Sequence, residues 1–225
     1  PRLLGGGPHR YAGAHWRFSR VTTAARLATF GTATVGEVAP ESRLLQAPIR
    51  PISTGMRLSG PARTVRCQPG DNLALHRSIA DAEPGDVIVA DYGGSTESGP
   101  FGEIMALACK LRGVAGLLID GAVRDSAEIT ALGFPVFARG LNIRGTTKCN
   151  KGELDIPLEL SGVKISPGDM VVADADAVLI LPAGIASAAL EKAEARAKQE
   201  AEKMRRLRAG ETTLQILGLD RESGI

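Results

Sequence analysis

"GLLIDGAVRDSAEI", residues 116–129, is the stretch that decides the fold and raises the question of function. Its first four residues, 116–119, form a short apolar run, which predicts a strand buried in a sheet. Residues 126–133, "SAEITALG", have the spacing of a short helix that ends at a glycine. Arg124 and Asp125 stand side by side where the strand passes into the helix, and this position calls for an explanation.

The same alternation of strand and helix continues on both sides of this stretch. "DVIVAD" (86–91) predicts an apolar strand, and "FGEIMALACKLR" (101–112) predicts a helix with Pro100 suited to its first position. "FPVFARG" (134–140) predicts the next strand. Strands that alternate with helices at this spacing are typical of a layered α/β domain.

The ends of the chain have a different character. Residues 21–39 predict helical pieces, residues 140–182 predict turns and β-runs, and residues 183–208 predict one long C-terminal helix. The apolar stripe of that helix is mostly alanine, so it can pack closely on its own domain or on another subunit. We expect a single domain over 20–225, with residues 1–19 as an N-terminal extension outside the fold argument.

Composition excludes several classes of function. The formal net charge is only +2 and aromatic residues make up 4% of the chain, which does not favour nucleic-acid binding. The sequence contains no apolar run long enough for a membrane span. Its three cysteines, Cys67, Cys109 and Cys149, are widely spaced and odd in number, which favours the reducing cytoplasm over a disulfide framework.

The glycine- and serine-rich loop before residue 101 predicts an anion site. Its glycines allow close approach of the backbone to a ligand, and the free amides of Gly102, Glu103, Ile104 and Met105 at the helix start would face an anion. A carboxylate or a phosphate would fit. The alternative is that the loop simply connects a strand to a core helix, since every helix N-terminus has free amides.

Arg124 and Asp125 also allow two interpretations. "DSAE" resembles a capping box with Asp125 as N-cap and Glu128 at the third helical position, and Arg124 would then be a surface ion-pair partner. In the functional interpretation Asp125 is a ligand for Mg²⁺ or Mn²⁺ and Arg124 grips a carboxylate with its planar fork. His76 is a candidate base, although a lone histidine on a helix is more often structural.

Five segments resemble the regulator-of-ribonuclease-activity-A-like family, which includes 4-hydroxy-4-methyl-2-oxoglutarate/4-carboxy-4-hydroxy-2-oxoadipate aldolases. They are "TATVGEV", "PGDNLALHRSIADAEPGDVIVAD", "GEIMALACKLRGVAGLLIDGAVRD", "GFPVFARG" and "ISPGDMVVADADAVLILP". The aldolase signature of the family is an acid, twenty residues, then Arg-Asp, which here is Glu103 followed by Arg124-Asp125. The resemblance covers roughly residues 28–217.

The resemblance implies a swivelling β/β/α domain assembled as a homotrimer or a dimer of trimers. It implies that Asp125 helps to hold a divalent metal cation, Mg²⁺ or Mn²⁺, that Arg124 contacts pyruvate, and that the backbone of residues 102–105 binds the pyruvate carboxylate. A neighbouring subunit could add one acid from the C-terminal helix, with Glu191, Glu194 and Glu200 as candidates.

Two functions follow as expectations. The first is a metal-dependent class II pyruvate aldolase that cleaves a 4-hydroxy-2-keto acid and can decarboxylate oxaloacetate, with Arg124 and Glu103 as catalytic residues. The second is a trimeric regulator that binds and inhibits a ribonuclease or another protein and needs neither metal nor Asp125. The presence of the acid after Arg124 favours the enzyme.

Overall fold

The computed structural model describes residues 22–46 and 48–219. The predicted N-terminal extension, residues 1–19, lies outside the described residues. Within the described part the elements follow the alternation that the sequence predicts, and the α/β fold class with a long C-terminal helix is confirmed.

Within residues 22–46 and 48–219, thirteen strands form one large sheet and two small ones. In chain order the strands are β1 (Arg43–Leu44), β2 (Arg50–Pro51), β3 (Leu58–Arg66), β4 (Val87–Asp91), β5 (Gly116–Ile119), β6 (Ala122–Val123), β7 (Val136–Ala138), β8 (Gly140–Leu141), β9 (Glu153–Leu154), β10 (Leu158–Leu160), β11 (Val163–Ile165), β12 (Met170–Ala173) and β13 (Val178–Leu181).

The centre of the large sheet is parallel, in the order β3-β4-β5-β7. All four residues of β5 are buried, as are the first four of β4, because helices and further strands cover both faces. Antiparallel strands extend the sheet on both sides: β12, β13 and β1 beyond β3, and β2 beyond β7. Strand β9 also pairs with β3, while β10-β11 and β6-β8 form the small sheets.

The described residues form seven α-helices. They are α1 (22–27), α2 (Thr32–Val38), α3 (Leu73–Asp81), α4 (Glu103–Leu111), α5 (Ser126–Leu132), α6 (Ala186–Arg208) and α7 (Thr213–Leu217). Helices α3, α4 and α5 share one core cluster with the parallel strands, and α1, α2 and α6 share another with β12 and β13. The described helices include none with the length and apolarity needed to cross a lipid bilayer.

Helix α4 differs from its prediction at its start and on its faces. It begins at Glu103 with Gly102 as N-cap, so Pro100 is not the first helical residue. The buried residues of α4 are Met105, Ala106 and Cys109, whereas Ile104 is 81% exposed and Leu111 is 79% exposed. The helix is apolar on more than one side, so its periodicity located the helix without identifying the buried face.

The alanine-rich stripe of α6 divides into two halves. Ala186, Ala189, Leu190 and Ala193 are buried in the chain's own core, so the first half packs on its own domain. The second half is exposed, with Met204 48% accessible to solvent. Of the two packing partners that the sequence left open, the chain's own domain accounts for the first half of α6. Packing on another subunit could involve only the exposed second half.

Candidate functional site

The two loops singled out in the sequence meet at the carboxyl ends of β4 and β5. The amide of Arg124 donates a hydrogen bond of 2.9 Å to the carbonyl oxygen of Phe101. The Phe101 ring is fully buried and stacks on Phe134 with 6.1 Å between ring centroids. These contacts fix the start of α4 against the loop before α5, and the carboxyl ends of parallel strands are where open α/β sheets usually bind ligands.

Asp125 lies at the N-cap position of α5, but its side chain does not cap that helix. Its backbone is left-handed, with φ 57° and ψ 42°, a conformation that aspartate tolerates better than most residues. The carboxylate instead accepts a hydrogen bond at Oδ2 from the amide of Glu103, at 3.0 Å. The capping-box interpretation of Asp125 is therefore wrong, and its carboxylate belongs to the start of α4.

Gly102 is required by this close approach. A Cβ atom at Gly102 would lie 2.3 Å from Oδ2 of Asp125 and 3.0 Å from Nε of Arg124. A Cβ at Gly99 would lie 2.0 Å from the carbonyl oxygen of Asn142. The glycines of the loop thus allow three segments to converge without side chains between them.

The four amides predicted to form an anion cradle are used in different ways. Met105 donates its amide to the carbonyl oxygen of Gly102 in the first turn of α4, and Glu103 donates to Asp125. The amides of Gly102 and Ile104 donate no hydrogen bond within the part of the chain that the structure describes. Two free amides and one amide held by a carboxylate therefore lie at the helix start, where the dipole favours an anion.

Arg124 is only loosely paired. Its Nε atom lies 3.7 Å from Oδ2 of Asp125, and the two side chains are 43% and 40% exposed. An exposed ion pair at this distance contributes little to stability because water screens it. The guanidinium therefore keeps the capacity to bind a ligand carboxylate through two parallel hydrogen bonds.

An open cleft of about 430 Å³ lies beside this pair. Its lining residues come from the start of α5 and from the segment that follows β8: Arg124, Asp125, Ser126, Leu141, Asn142 and Ile143. Sequence reasoning assigned no role to this second segment. Asn142 connects this segment to the loop before α4, since its side-chain amide donates to the carbonyl oxygen of Thr96 at 2.8 Å. A lone asparagine in a turn-rich stretch gave no signal of this contact.

The other candidate residues lie in different surroundings. Glu103 is exposed in the first turn of α4. His76 is half-buried on α3, where burial and then the charge of Lys148 lower its imidazole pKa. Glu194 forms an ion pair with Arg26. Glu191 and Glu200, like Glu194, lie on α6, which belongs to a different core cluster from α4 and α5.

The single carboxylate of Asp125 fits a hard cation that keeps most of its water ligands. Within residues 22–46 and 48–219, no group of three or more His, Cys, Asp or Glu side chains is arranged to hold a metal ion. Asp125 offers one carboxylate that is 40% exposed at the cleft. Mg²⁺ usually binds proteins through one or two carboxylates and completes its shell with water and substrate, so this site suits Mg²⁺ or Mn²⁺ better than a cage-bound metal.

Similar proteins carry several different names. A protein of Halalkalibacterium halodurans named "Putative 4-hydroxy-4-methyl-2-oxoglutarate aldolase" is 39% identical over 165 residues, which are 73% of this chain and 77% of that one. The structure of the RNA-processing inhibitor RraA from Thermus thermophilis has a TM-score of 0.64 at 30% identity and covers 68% of this chain and 93% of its own.

A third relative is described as an S-adenosylmethionine:2-dimethylmenaquinone methyltransferase from Geobacillus kaustophilus. Its TM-score is 0.65 at 34% identity, over 68% of this chain and 95% of that one. A model of the RraA-like family, described as Aldolase/RraA, matches residues 32–180. That range contains both loops of the candidate site and the strands of the parallel centre of the sheet. The chain therefore belongs to the RraA-like family.

Proposed function

We propose that the protein is a divalent-metal-dependent class II pyruvate aldolase. Its substrate would be 4-hydroxy-4-methyl-2-oxoglutarate or a related 4-hydroxy-2-keto acid. One observation carries the proposal. The Asp125 carboxylate does not cap its own helix but accepts a hydrogen bond from the start of α4, where it lies beside Arg124 and the free amides. The name of the Halalkalibacterium relative supports the same activity.

Each group of the candidate site would have a role in binding. Asp125 would hold the cation, which when bound supplies a Lewis acid for the keto group of the substrate. The free amides of Gly102 and Ile104 would bind the carboxylate of the keto acid, and the backbone of Glu103 and Met105 completes that turn. Arg124 would place positive charge where the enolate oxygen develops, a form of stabilisation that acts mainly in the transition state.

The reaction then needs the movement of two protons. A base removes the proton of the 4-hydroxyl group, the bond between carbons 3 and 4 breaks, and the pyruvate enolate that leaves is protonated at carbon 3. Glu103 is exposed beside the cradle and would move one of these protons, directly or through water. Loss of carbon dioxide from oxaloacetate forms the same enolate, so we propose decarboxylation as a side activity.

A Schiff-base mechanism receives no support from the cleft lining. None of the six residues that line the cleft is a lysine. Sodium borohydride added with pyruvate should therefore leave the activity intact, whereas it inactivates enzymes that bind pyruvate covalently through lysine.

Assembly as a homotrimer or a dimer of trimers is part of the proposal. Apolar side chains of the cleft lining and of α4 are open to water: Leu141 (58%) and Ile143 (89%) line the cleft, and Ile104 (81%), Leu107 (42%) and Leu111 (79%) lie on α4. Cover from a neighbouring subunit would bury them and would exclude bulk water from the cleft. A dry site strengthens the electrostatic interactions of Arg124 and Asp125 with a ligand. A glutamate from α6 of the neighbour could then add to the site.

The second candidate is a regulator that binds a ribonuclease or another protein. It is favoured by the likeness to the RNA-processing inhibitor and by the same exposed apolar residues. Pyruvate release from 4-hydroxy-4-methyl-2-oxoglutarate separates the two functions. We expect turnover with Mg²⁺, none with EDTA, and recovery when Mg²⁺ is restored. Protein that releases no pyruvate with either Mg²⁺ or Mn²⁺ would contradict the aldolase and leave the regulator.

A further inference from the structure

Asn72 is a buried residue outside the cleft that contacts both ends of the anion cradle. It is the N-cap residue of α3 and is only 7% exposed. Its side-chain nitrogen donates to the carbonyl oxygen of Pro100 at 2.8 Å and lies 3.7 Å from the sulfur of Met105. Pro100 precedes and Met105 follows the two residues with free amides at the start of α4, Gly102 and Ile104.

The other contacts of this segment come from the opposite side. Arg124 donates its backbone amide to Phe101, Asp125 accepts from Glu103, and the Phe101 ring stacks on Phe134. All three partners belong to α5 or to the loops at its ends. Asn72, on α3, supplies a side-chain hydrogen bond from the other flank, so the segment is held from two helices.

The Asn72 side chain is poorly adapted to stability alone. Its Oδ1 atom is buried and accepts no hydrogen bond from the described protein atoms. A buried acceptor without a partner costs free energy, and such groups in native proteins call for an explanation. Its side chain accepts no capping hydrogen bond from α3 either, and the amide of Leu73, the first residue of that helix, donates to Asp71. What the Asn72 amide does accomplish is the hydrogen bond to Pro100.

We propose that Asn72 is a positioning residue for the carboxylate of the keto acid. Through the Pro100 carbonyl it fixes the direction of the Gly102 and Ile104 amides, and so it sets the affinity of the site without touching the ligand. The inference rests on the proposed function, which supplies the ligand. Small errors of orientation at such a site are costly because hydrogen bonds weaken steeply with angle.

The test compares two substitutions of Asn72 with one matched control. Asn72→Leu keeps the approximate volume of the side chain and removes both the donor and the unpaired acceptor. Asn72→Ser is a milder change, since serine is accepted at an N-cap position but is too short to reach Pro100. Ser78→Ala is the control, because Ser78 is a fully buried residue of the same helix whose hydroxyl has no partner among the described atoms.

Pyruvate binding to the full chain with Mg²⁺ is measured by calorimetry, and the melting temperature is recorded for each variant. We expect Asn72→Leu and Asn72→Ser to bind pyruvate about tenfold more weakly, equivalent to about 1.4 kcal/mol, while Ser78→Ala binds like the wild type. With 4-hydroxy-4-methyl-2-oxoglutarate, KM should rise more than kcat falls. The melting temperature of Asn72→Leu should stay close to that of the wild type, because removal of the unpaired Oδ1 acceptor offsets the loss of the hydrogen bond to the Pro100 carbonyl.

Two outcomes would overturn the inference, and they differ in what else they overturn. If the wild type binds pyruvate and the folded Asn72 variants bind it equally well, only the role of Asn72 is lost. If the wild type binds no pyruvate, the proposed function is lost together with the inference. Should Asn72→Leu fail to fold, the result for Asn72→Ser decides between support and rejection.

Discussion

At the scale of single residues, Asp125 has a backbone and a side chain that serve different purposes. Its left-handed conformation turns the chain into α5, while its carboxylate reaches the amide of Glu103. Asparagine tolerates the same backbone conformation, and its carbonyl oxygen can accept the same hydrogen bond. Substitution by asparagine therefore removes the charge and keeps the local structure.

We expect Asp125→Asn to lose metal-dependent aldolase activity by more than about 100-fold, the upper end of the loss for a residue that merely supports a metal ligand. The melting temperature should change little. Pyruvate release at saturating Mg²⁺ and thermal unfolding are the two measurements. An asparagine variant with full activity would show that Asp125 shapes the loop and does not bind the cation.

Arg124→Lys keeps the charge and loses the planar fork. We expect kcat/KM for a pyruvate-yielding substrate to fall by roughly 100-fold, the scale for the loss of one transition-state donor. Arg205→Lys is the matched control, because Arg205 is an exposed arginine of α6 that is also paired with one acid, Glu202. Equal kinetics for the two lysine variants would exclude Arg124 as a ligand contact.

Gly102→Ala tests the convergence of the two loops. The backbone of Gly102 is extended, with φ −144° and ψ −168°, so alanine suits the backbone and its cost arises from the Cβ contact with Asp125. We expect loss of pyruvate binding and of activity. Gly145→Ala is the control, since a Cβ there would meet no atom within 4 Å. Comparable activity of the two alanine variants would mean that Asp125 moves away freely.

At the scale of elements, the segment after β8 is held by Asp71. Burial alone would raise the pKa of the Asp71 carboxyl. Its hydrogen bonds from the Thr147 hydroxyl and from the amides of Cys149 and Leu73 outweigh this effect, so the pKa is lowered from 3.8 to about 2. The same segment accepts the Asn72 amide at the carbonyl oxygen of Thr147. Asp71 therefore couples the turn-rich stretch to the start of α3.

This pKa predicts how stability depends on pH. Between pH 2 and 3.8 the unfolded chain binds more protons at Asp71 than the folded chain does, so its contribution is complete above pH 3.8 and is lost as the pH falls towards 2. We expect the free energy of unfolding of the wild type to fall more steeply over this range than that of Asp71→Asn. Denaturant unfolding at several pH values measures both slopes, and equal slopes would contradict the assignment.

Two strands of the parallel core, β4 and β5, were predictable from sequence because each is a short apolar run and is followed by a helical period. Residues 86–91 and 116–119 were identified in this way, and the loops that follow these two strands were placed correctly at strand ends. The pairing of β12 with β3 was not predicted, because partners distant in sequence leave no local pattern. The contact of Asp125 with Glu103 also joins residues that are distant in sequence. It was missed because "DSAE" has a local explanation, the capping box, which proved wrong.

At the scale of the whole molecule, the exposed apolar residues of α4 make the proposed assembly testable. We expect light scattering at micromolar concentration to give three or six times the 23.5 kDa mass of one chain. Leu111→Glu, at a position 79% exposed on α4, should reduce the mass towards that of a monomer. Leu44→Glu is the control on the edge strand β1, where the side chain is 47% exposed.

A monomer with full aldolase activity would contradict both the assembly and a site shared between subunits. It would leave the proposed roles of Arg124 and Asp125 unaffected, because those residues meet within one chain. Dissociation of both glutamate variants would show that the assembly does not depend on α4 in particular.

Because the Glu103 amide donates to Asp125, the Asp125 carboxylate would compete with an incoming ligand for that amide. The amide at the start of α4 already has a carboxylate on it, so an incoming keto acid gains that amide only by displacing Asp125. If a keto acid binds as proposed, its affinity would be the free energy of an exchange and not of a simple addition. A first ligand that draws the Asp125 carboxylate towards itself would free the Glu103 amide for a second ligand. The two ligands would then bind cooperatively through a single side chain.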